Sequence, residues 1–320
     1  MIHVQGLTKQ YGEKLALDHV SFDIARGEVL GLLGLNGAGK TTTMNILTGY
    51  IGATAGEVVI DGHDAFREPL EVKRVIGYLP ETPAFYSDMR VREYLDFVCD
   101  LKGVKKAGRR EHVAAICEEV GISAIVNRVI RNLSKGYRQR VGFAQALIGS
   151  PKVLILDEPT VGLDPSQVIE IRALIRRLGE HSTVIISSHI LSEIQAICSR
   201  VIVLHEGRLL ADDTPDNLRR KVLATHRVAA RVLGEPEAVL AALSAIPDLR
   251  ELRQLPEEKE PGAYEYVIES AAMRDIRADV FRALAQADLP LLYTHGNDES
   301  LEDIFLHLIH EQRTKGGEAQ

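Results

Sequence analysis

The chain has 320 residues, of which 45% are hydrophobic and 26% are charged, and its formal net charge is −7. This composition is that of an ordinary globular protein with room for one large and one small domain. The negative net charge gives no overall attraction to nucleic acid, and the 3 cysteines form no CxxC pair, so neither a zinc site nor a disulfide framework is predicted. No run of about 18 apolar residues occurs, so no membrane-spanning segment is predicted.

The first 215 residues alternate between strand-like and helical patterns. Three strand-like runs occupy residues 2–34, a glycine-rich turn follows, and a helix is predicted over Lys40–Leu47. Later apolar runs predict further strands and a closing hairpin, in the order VIGYLP, KVLILDEP, STVIISSH and RVIVLHEGRLLADD. Strands that are apolar throughout and alternate with helices indicate a parallel sheet covered on both faces.

A helical block interrupts this alternation at about residues 88–150. Apolar residues recur at helical spacing in VREYLDFVCDL and VAAICEEVGI, and Ser134 is a good N-cap for a further amphipathic helix. The fold class predicted for residues 1–215 is therefore α/β. It combines a parallel sheet with a helical subdomain.

The sequence pattern changes after about Pro215. Strand-like and helical segments follow in the order βαββαβ, which is that of a small split-βαβ module, and a last helix is predicted from Ser300. The polar stretch 257–263 is expected to form an exposed turn. A small α+β domain, with a dimerisation or accessory role, is therefore predicted over residues 216–314, followed by a disordered tail at 315–320.

A glycine-rich turn after the third strand-like run carries the pattern G-x-x-x-x-G-K-[ST] of a phosphate-binding loop. Its glycines allow backbone N–H groups to converge on phosphates, its lysine can reach the β- and γ-phosphates, and its threonine hydroxyl can bind Mg²⁺. The predicted ATP-binding residues of this loop are Gly34, Leu35, Asn36, Gly37, Ala38, Gly39, Lys40, Thr41 and Thr42. Lys40 is also predicted to be catalytic, and Thr41 is predicted to be a metal ligand.

Two carboxylates follow the apolar strand VLIL, at the end where open parallel sheets bind ligands. Asp157 is suited to hold Mg²⁺, and Glu158 points differently and is predicted to deprotonate the attacking water. His189 follows the apolar run VIISS and is predicted to hydrogen-bond the γ-phosphate. The alternatives are two acids that only cap a strand end and a histidine that is structural or solvated.

The motifs LSKGYRQ, LILDEP, VGLD and SSH follow the phosphate-binding loop in an order and at separations that resemble an ABC transporter ATP-binding subunit. The resemblance covers about residues 2–215, and it implies a phosphate-loop ATPase core with an N-terminal antiparallel β subdomain. It implies that Tyr11 stacks on adenine, whereas the alternative is a core tyrosine of the N-terminal sheet. It also implies that residues 162–164 form a loop that crosses a dimer interface.

The same resemblance implies a head-to-tail homodimer formed through the nucleotide sites. In such a dimer Ser134 and the N–H of Gly136, at the start of a helix, bind the γ-phosphate of an ATP held by the opposite subunit. The commoner pattern in the family is LSGGQ, so Lys135 and Tyr137 are substitutions in this chain. The contacts of these two side chains do not follow from the resemblance.

Glu81 stands after VIGYLP, where most of the family has glutamine. By the resemblance this position lies near Mg²⁺ and links the nucleotide site to a membrane permease, so Glu81 is predicted to be a metal ligand. Phe85 and Tyr86 follow it. They either help to form the groove that receives a short permease helix or pack within the helical subdomain.

The resemblance implies an ATPase that converts ATP and water to ADP and phosphate, with ATP and Mg²⁺ bound, and powers a separate integral membrane permease. The ending SLEDIFLHLI resembles the tails of drug- and antibiotic-exporter ATPases and of gliding-motility relatives. This implies an exporter subunit that is cytoplasmic and peripheral on the inner face of the membrane, with no nucleic-acid partner.

Two other classes of protein are alternatives to a transporter ATPase. A soluble ABC ATPase that acts on ribosomes or nucleic acid usually carries two ATP sites in one chain, and this chain has one. A nucleotide-gated binding module without turnover is opposed by the presence of Glu158 and His189.

Overall fold

The computed structural model describes residues 1–222, 226–270 and 276–296 of the chain. The chain divides into two compact units, Met1–Pro215 and Asp216–Gln320. The helix predicted from Ser300 and the predicted tail lie outside the described residues.

The first unit is built from strands and helices that alternate along most of its length. Its strands are β1 (Ile2–Tyr11), β2 (Lys14–Ile24), β3 (Val29–Leu33), β4 (Ala55–Ile60), β5 (His63–Asp64), β6 (Ile76–Leu79), β7 (Val153–Leu156), β8 (Thr183–Ser188), β9 (Arg200–His205) and β10 (Arg208–Asp213). Its helices are α1 (Lys40–Leu47), α2 (Pro69–Val75), α3 (Val91–Leu101), α4 (Arg109–Glu119), α5 (Lys135–Leu147), α6 (Pro165–Gly179) and α7 (Leu191–Ile197). A further helix, α8 (Pro215–Val222), begins at the last residue of this unit.

Two sheets organise the first unit. The sheet β2-β1-β4-β5 is antiparallel. In the sheet β10-β9-β3-β8-β7-β6 all neighbouring strands are parallel except β10, which pairs antiparallel with β9 as a hairpin at the edge. The predicted parallel sheet, N-terminal antiparallel subdomain and closing hairpin are confirmed.

The central strands β7 and β8 are buried along their whole length, which explains their continuous apolar sequence. Because they are parallel neighbours, their carboxyl ends lie at the same edge of the sheet. Asp157 directly follows β7, and His189 directly follows β8. Asp157 and His189, which were predicted to follow strands, therefore lie at the same edge of the sheet.

Helices α3, α4 and α5 occupy the block that was predicted to be helical. The hydroxyl of Ser134 accepts a hydrogen bond from the backbone N–H of Tyr137, which confirms Ser134 as the N-cap of α5. Helix α5 packs so closely on β6 that a Cβ at Gly77 would clash with the Ala146 carbonyl group. The helix α2 was not predicted; it has 7 residues, and only Val72 among them is buried.

The second unit contains a four-stranded antiparallel sheet of order β12-β13-β11-β14. Its elements are β11 (His226–Leu233), α9 (Pro236–Ser244), β12 (Leu249–Glu260), β13 (Ala263–Ser270), α10 (Arg277–Gln286) and β14 (Leu291–Gly296). This order confirms the predicted βαββαβ module, and α9 and α10 share one apolar core with the sheet. The turn predicted at 257–263 is partly wrong: β12 continues to Glu260, which pairs with Ala263, so only Pro261 and Gly262 form the turn.

The cysteines do not form a chemical site. Cys99, Cys117 and Cys198 are buried and unpaired, and burial raises the pKa of the Cys198 thiol to about 12, so this thiol stays protonated at neutral pH. Among the helices of the described residues, none combines the length and the apolar character that a membrane crossing needs.

Candidate nucleotide-binding site

The loop between β3 and α1 borders a pocket of about 370 Å³. Gly37 and Gly39 have φ angles of 82° and 107°, which glycine adopts without the steric cost that a Cβ imposes. A Cβ at Gly39 would also lie 2.7 Å from the Leu17 side chain. These glycines let the backbone turn so that α1 begins at Lys40, with its N-terminal residues on the pocket wall, where backbone N–H groups can bind an anion.

The pocket gathers most of the site residues that the sequence predicted. These are Tyr11, Leu35, Asn36, Gly37, Ala38, Gly39, Lys40, Thr41, Thr42, Glu81, Glu158 and His189. Lys14, Ala16 and Val161 also line it and were missed, because no motif marks them. The phosphate-binding loop, the proposed base and the aromatic residue at the end of β1 therefore surround one cavity.

Glu158 is buried between a cation and an imidazole ring. Its Oε1 lies 3.6 Å from Nζ of Lys40, and its Oε2 lies 2.9 Å from Nδ1 of His189. The Lys40 ammonium also donates a hydrogen bond of 2.7 Å to the carbonyl oxygen of Gly34. Glu158 has a φ of 46°, a backbone conformation that non-glycine residues adopt at a cost and that occurs at functional sites.

Asp157 is 2% exposed and is held by a serine that the sequence analysis missed. The Ser187 hydroxyl donates a short hydrogen bond to Oδ1 of Asp157 and accepts one of 2.8 Å from the Glu158 N–H. Burial raises the pKa of the Asp157 carboxyl; the charges of Glu158 and Glu81 raise it further, whereas Ser187 and Lys40 lower it. The hydroxyl-rich end of VIISSH was the available signal for Ser187.

The carboxylates of Asp157 and Glu81 and the hydroxyl of Thr41 are the kinds of ligand that Mg²⁺ prefers, since it binds oxygen atoms. Thr41 and Glu81 line the pocket, and a cation there would offset the negative charge that raises the pKa of Asp157. No group of three or more His, Cys, Asp or Glu residues that could hold a metal alone occurs in the part of the chain that the structure describes. Water or nucleotide oxygens would therefore have to complete the ligand set.

Ser134 and Gly136 do not line this pocket. Ser134 is exposed, and Gly136 is buried. The Gln167 side chain of α6 packs so closely on Gly136 that a Cβ there would lie only 2.6 Å from it. The ammonium group of Lys135 fills the space that a Cβ at Gly162 would need. The start of α5 is thus packed against the loop before α6 in the same chain.

Tyr11 is 48% exposed, so the alternative of a core tyrosine is wrong. The ammonium of Lys9 lies 5.0 Å from the centroid of its ring. An exposed aromatic ring at the edge of the pocket is available for stacking on a flat ligand.

Comparison with known proteins extends these observations beyond the pocket. The family model described as ABC transporter matches residues 17–161. The bacitracin transport ATP-binding protein BcrA of Bacillus licheniformis is 39% identical over 223 residues, which are 69% of this chain and 72% of that protein. The chain belongs to the ABC transporter ATP-binding protein family. This ABC ATPase binds ATP and hydrolyses it to drive transport.

The resemblance of the ABC ATPase to its family includes the second unit. YcbN of Bacillus subtilis (strain 168), an uncharacterized ABC transporter ATP-binding protein, is 32% identical over 317 residues, which are 97% of each chain. Among solved structures, the dimeric post-hydrolysis state of the ATP-binding cassette MJ0796 bound to ADP and Pi matches with a TM-score of 0.62 and 26% identity, over 67% of this chain and 99% of that chain. These matches confirm the predicted phosphate-loop ATPase fold.

Replacement of Asp157 by asparagine should stabilise the metal-free ABC ATPase. The pKa of Asp157 is higher in the folded protein than its ordinary value. The folded protein therefore loses stability as the pH rises from the ordinary pKa through the raised pKa, because the buried carboxyl becomes charged over that range. Asp157→Asn removes the charge and keeps the shape. We expect its Tm in EDTA at neutral pH to exceed that of the wild type by about 2–4 °C, the shift that about 1 kcal/mol produces in a unit of this size.

The same substitution should weaken the thermal stabilisation that Mg²⁺ and ATP produce. The wild type should gain thermal stability when EDTA is replaced by MgCl₂ and ATP, and Asp157→Asn should gain less. Glu180→Gln removes an exposed carboxylate at the end of α6 and is the matched control, expected to behave as the wild type. A variant that is less stable than the wild type in EDTA but keeps the full Mg²⁺ response would contradict the assignment of Asp157 as a metal ligand.

Proposed function

We propose that two copies of this ABC ATPase hydrolyse ATP at two composite sites, formed head to tail, and so power an exporter permease. The observation that supports this proposal is the division of the motifs within one chain. The pocket holds the phosphate-binding loop, Glu158 and His189, whereas Ser134 and Gly136 lie outside it at the start of α5. A second copy can supply the missing half, and the similar cassette MJ0796 is dimeric.

Within each site the residues of one chain perform the hydrolysis. Glu158 takes a proton from the attacking water as its oxygen bonds to the γ-phosphorus, and the bond to the β,γ-bridging oxygen breaks to release ADP. Nδ1 of His189 donates a hydrogen bond to Oε2 of Glu158, and Nε2 donates one to the γ-phosphate, which requires that both ring nitrogens carry a proton. Lys40 binds the β- and γ-phosphates, and Tyr11 stacks on adenine. Thr41, Asp157 and Glu81 would hold Mg²⁺, which would supply positive charge to neutralise the phosphates.

The start of α5 supplies the second half of the site to the partner. Its first N–H groups and the helix dipole favour an anion, and the N-cap hydroxyl of Ser134 lies exposed at this end. The γ-phosphate of the partner's ATP is an anion of the right charge and size. ATP thereby joins the two copies, and loss of the γ-phosphate lets them separate.

A groove of about 850 Å³, bordered by α2, α3 and the chain after α1, is the surface that we assign to the permease. The exposed fractions of Tyr50, Leu70, Tyr86 and Leu101 on its walls are 79%, 70%, 58% and 71%. Apolar surface concentrated in a groove is typical of a protein interaction site. A short apolar helix of a membrane protein has the shape and polarity to fill it.

We assign the two aromatic residues after Glu81 to different surfaces. Tyr86 lines the groove and contacts the Phe97 ring edge to face, with centroids 5.2 Å apart. Phe85 lines a different pocket with Glu81 and contacts the Tyr94 ring at 5.4 Å. Tyr86 therefore belongs to the proposed docking surface, and Phe85 packs against α3.

The direction of transport and the location of the ABC ATPase are inferred from its relatives. BcrA carries the description bacitracin transport ATP-binding protein, and LnrL of Bacillus subtilis (strain 168), 31% identical over 247 residues, carries the description linearmycin resistance ATP-binding protein. We assign this chain to antibiotic or drug export, at the cytoplasmic face of the membrane. The net charge of −7 disfavours nucleic acid as its partner.

The variant Glu158→Gln tests the assigned base. It keeps the size of the side chain and removes its basicity, so steady-state phosphate release should fall at least about a hundredfold while ATP binding persists. The variant should accumulate as an ATP-bound dimer in size-exclusion chromatography. Glu180→Gln is the control and should turn over normally. Normal turnover by Glu158→Gln would remove Glu158 as the base.

Mixed dimers test the composite sites. Lys40→Ala and Ser134→Arg damage opposite halves, so a heterodimer of the two variants has one site with both lesions and one intact site. Random 1:1 mixing should restore about a quarter of the wild-type ATPase rate, since about half of the dimers are then mixed.

The control mixture combines Lys40→Ala with Glu158→Gln, two lesions in the same half of the site. Each site of that heterodimer is damaged, so no activity should return. Recovery in the control, or none with Ser134→Arg, would be inconsistent with two composite sites that fire independently.

A charged substitution in the groove tests the permease assignment. Leu70→Glu should prevent co-purification of a multispanning membrane protein from detergent-solubilised membranes and leave the ATPase rate of the isolated subunit unchanged. Ile169→Glu is the matched control, because Ile169 is 67% exposed on α6 and does not line the groove. Equal capture by both variants would place the permease contact elsewhere.

A further inference from the structure

Glu193 is a buried carboxylate that the mechanism above does not use. It lies on α7, is 9% exposed, and accepts hydrogen bonds on the same oxygen, Oε2, from the hydroxyls of Thr160 at 2.7 Å and Ser188 at 3.1 Å. Its other oxygen, Oε1, is 3.8 Å from a guanidinium nitrogen of Arg172 on α6. This carboxylate therefore joins α6, α7, the end of β8 and the turn that follows β7.

The two hydroxyls belong to the segments that carry the catalytic pair. Thr160 follows Glu158 by two residues, and Ser188 directly precedes His189. Ser188 also accepts a hydrogen bond of 3.0 Å from the Ile190 N–H, so its hydroxyl is tied to the backbone on the far side of His189. The position of the Glu193 carboxylate thus constrains both segments from which Glu158 and His189 project.

The hydroxyls of Thr160 and Ser188 are shielded from solvent. Thr160 is 6% exposed and Ser188 is 2% exposed, so neither hydroxyl can exchange its acceptor for bulk water. Hydrogen bonds to a charged acceptor are stronger than those to a neutral one, and a buried carboxylate without donors would be costly. The Glu193 network therefore favours one relative position of the two segments.

We propose that Glu193 is a positioning residue for ATP hydrolysis, which holds His189 and Glu158 in register through Ser188 and Thr160. This inference rests on the roles proposed for Glu158 and His189. It adds a link along the chain, because Thr160 begins the stretch that leads to the loop at residues 162–164.

Paired substitutions at Thr160 test the network without a change in shape. Thr160→Val removes the hydroxyl, and Thr160→Ser retains it. We expect Thr160→Val and Glu193→Gln each to lower kcat for ATP hydrolysis about tenfold with KM for ATP changed less than about twofold, and Thr160→Ser to stay within about twofold of the wild type. Thermal unfolding of each variant shows whether the folded population is the same.

A double-mutant cycle with His189→Ala separates positioning from a general structural role. If Glu193 acts through His189, Glu193→Gln should lower kcat about tenfold in the wild-type background and less than about twofold in the His189→Ala background. Equal losses in both backgrounds, or a Thr160→Ser variant as slow as Thr160→Val, would overturn the inference. Full turnover by His189→Ala alone would reject the proposed role of His189, and the inference with it.

Discussion

Two adjacent carboxylates, buried at the carboxyl end of β7, set the charge that the rest of the nucleotide site has to accommodate. Asp157 and Glu158 are 2% and 8% exposed, and buried charges need compensating partners. The partners come from different elements: Lys40 from α1, Ser187 from β8 and His189 from the turn after β8. The parallel order of β3, β8 and β7 brings these elements to one edge, so the topology of the sheet and the electrostatics of the site depend on each other.

Features that depend on a short, continuous run of residues could be predicted from the sequence. The phosphate-binding loop is one, because its glycines, Lys40 and Thr41 act through local backbone geometry next to the helix that they begin. The apolar runs of β7 and β8 are another, because burial on both faces excludes polar residues. The cap at Ser134 also follows from local hydrogen bonding.

Features that depend on approach between distant segments could not be predicted in the same way. The order of elements along the chain does not state that β8 pairs with β7, so the contact between Glu158 and His189 was not foreseen. The network of Glu193 was missed because its partners are 33 and 5 residues away, in other elements. The extent of β12 was misjudged because cross-strand pairing with β13 outweighs the turn-forming composition of its end.

The contact between Lys135 and Gly162 bears on which residues position 162 can accept. Gly162 has a φ of 69°, and the Lys135 ammonium occupies the space beside its Cα. A side chain at position 162 would have to expel that ammonium, whereas a glycine at position 135 would leave the space open. Because that ammonium is the far end of a flexible side chain, it can move aside, so the left-handed backbone at position 162 is the larger obstacle to any residue with a Cβ there.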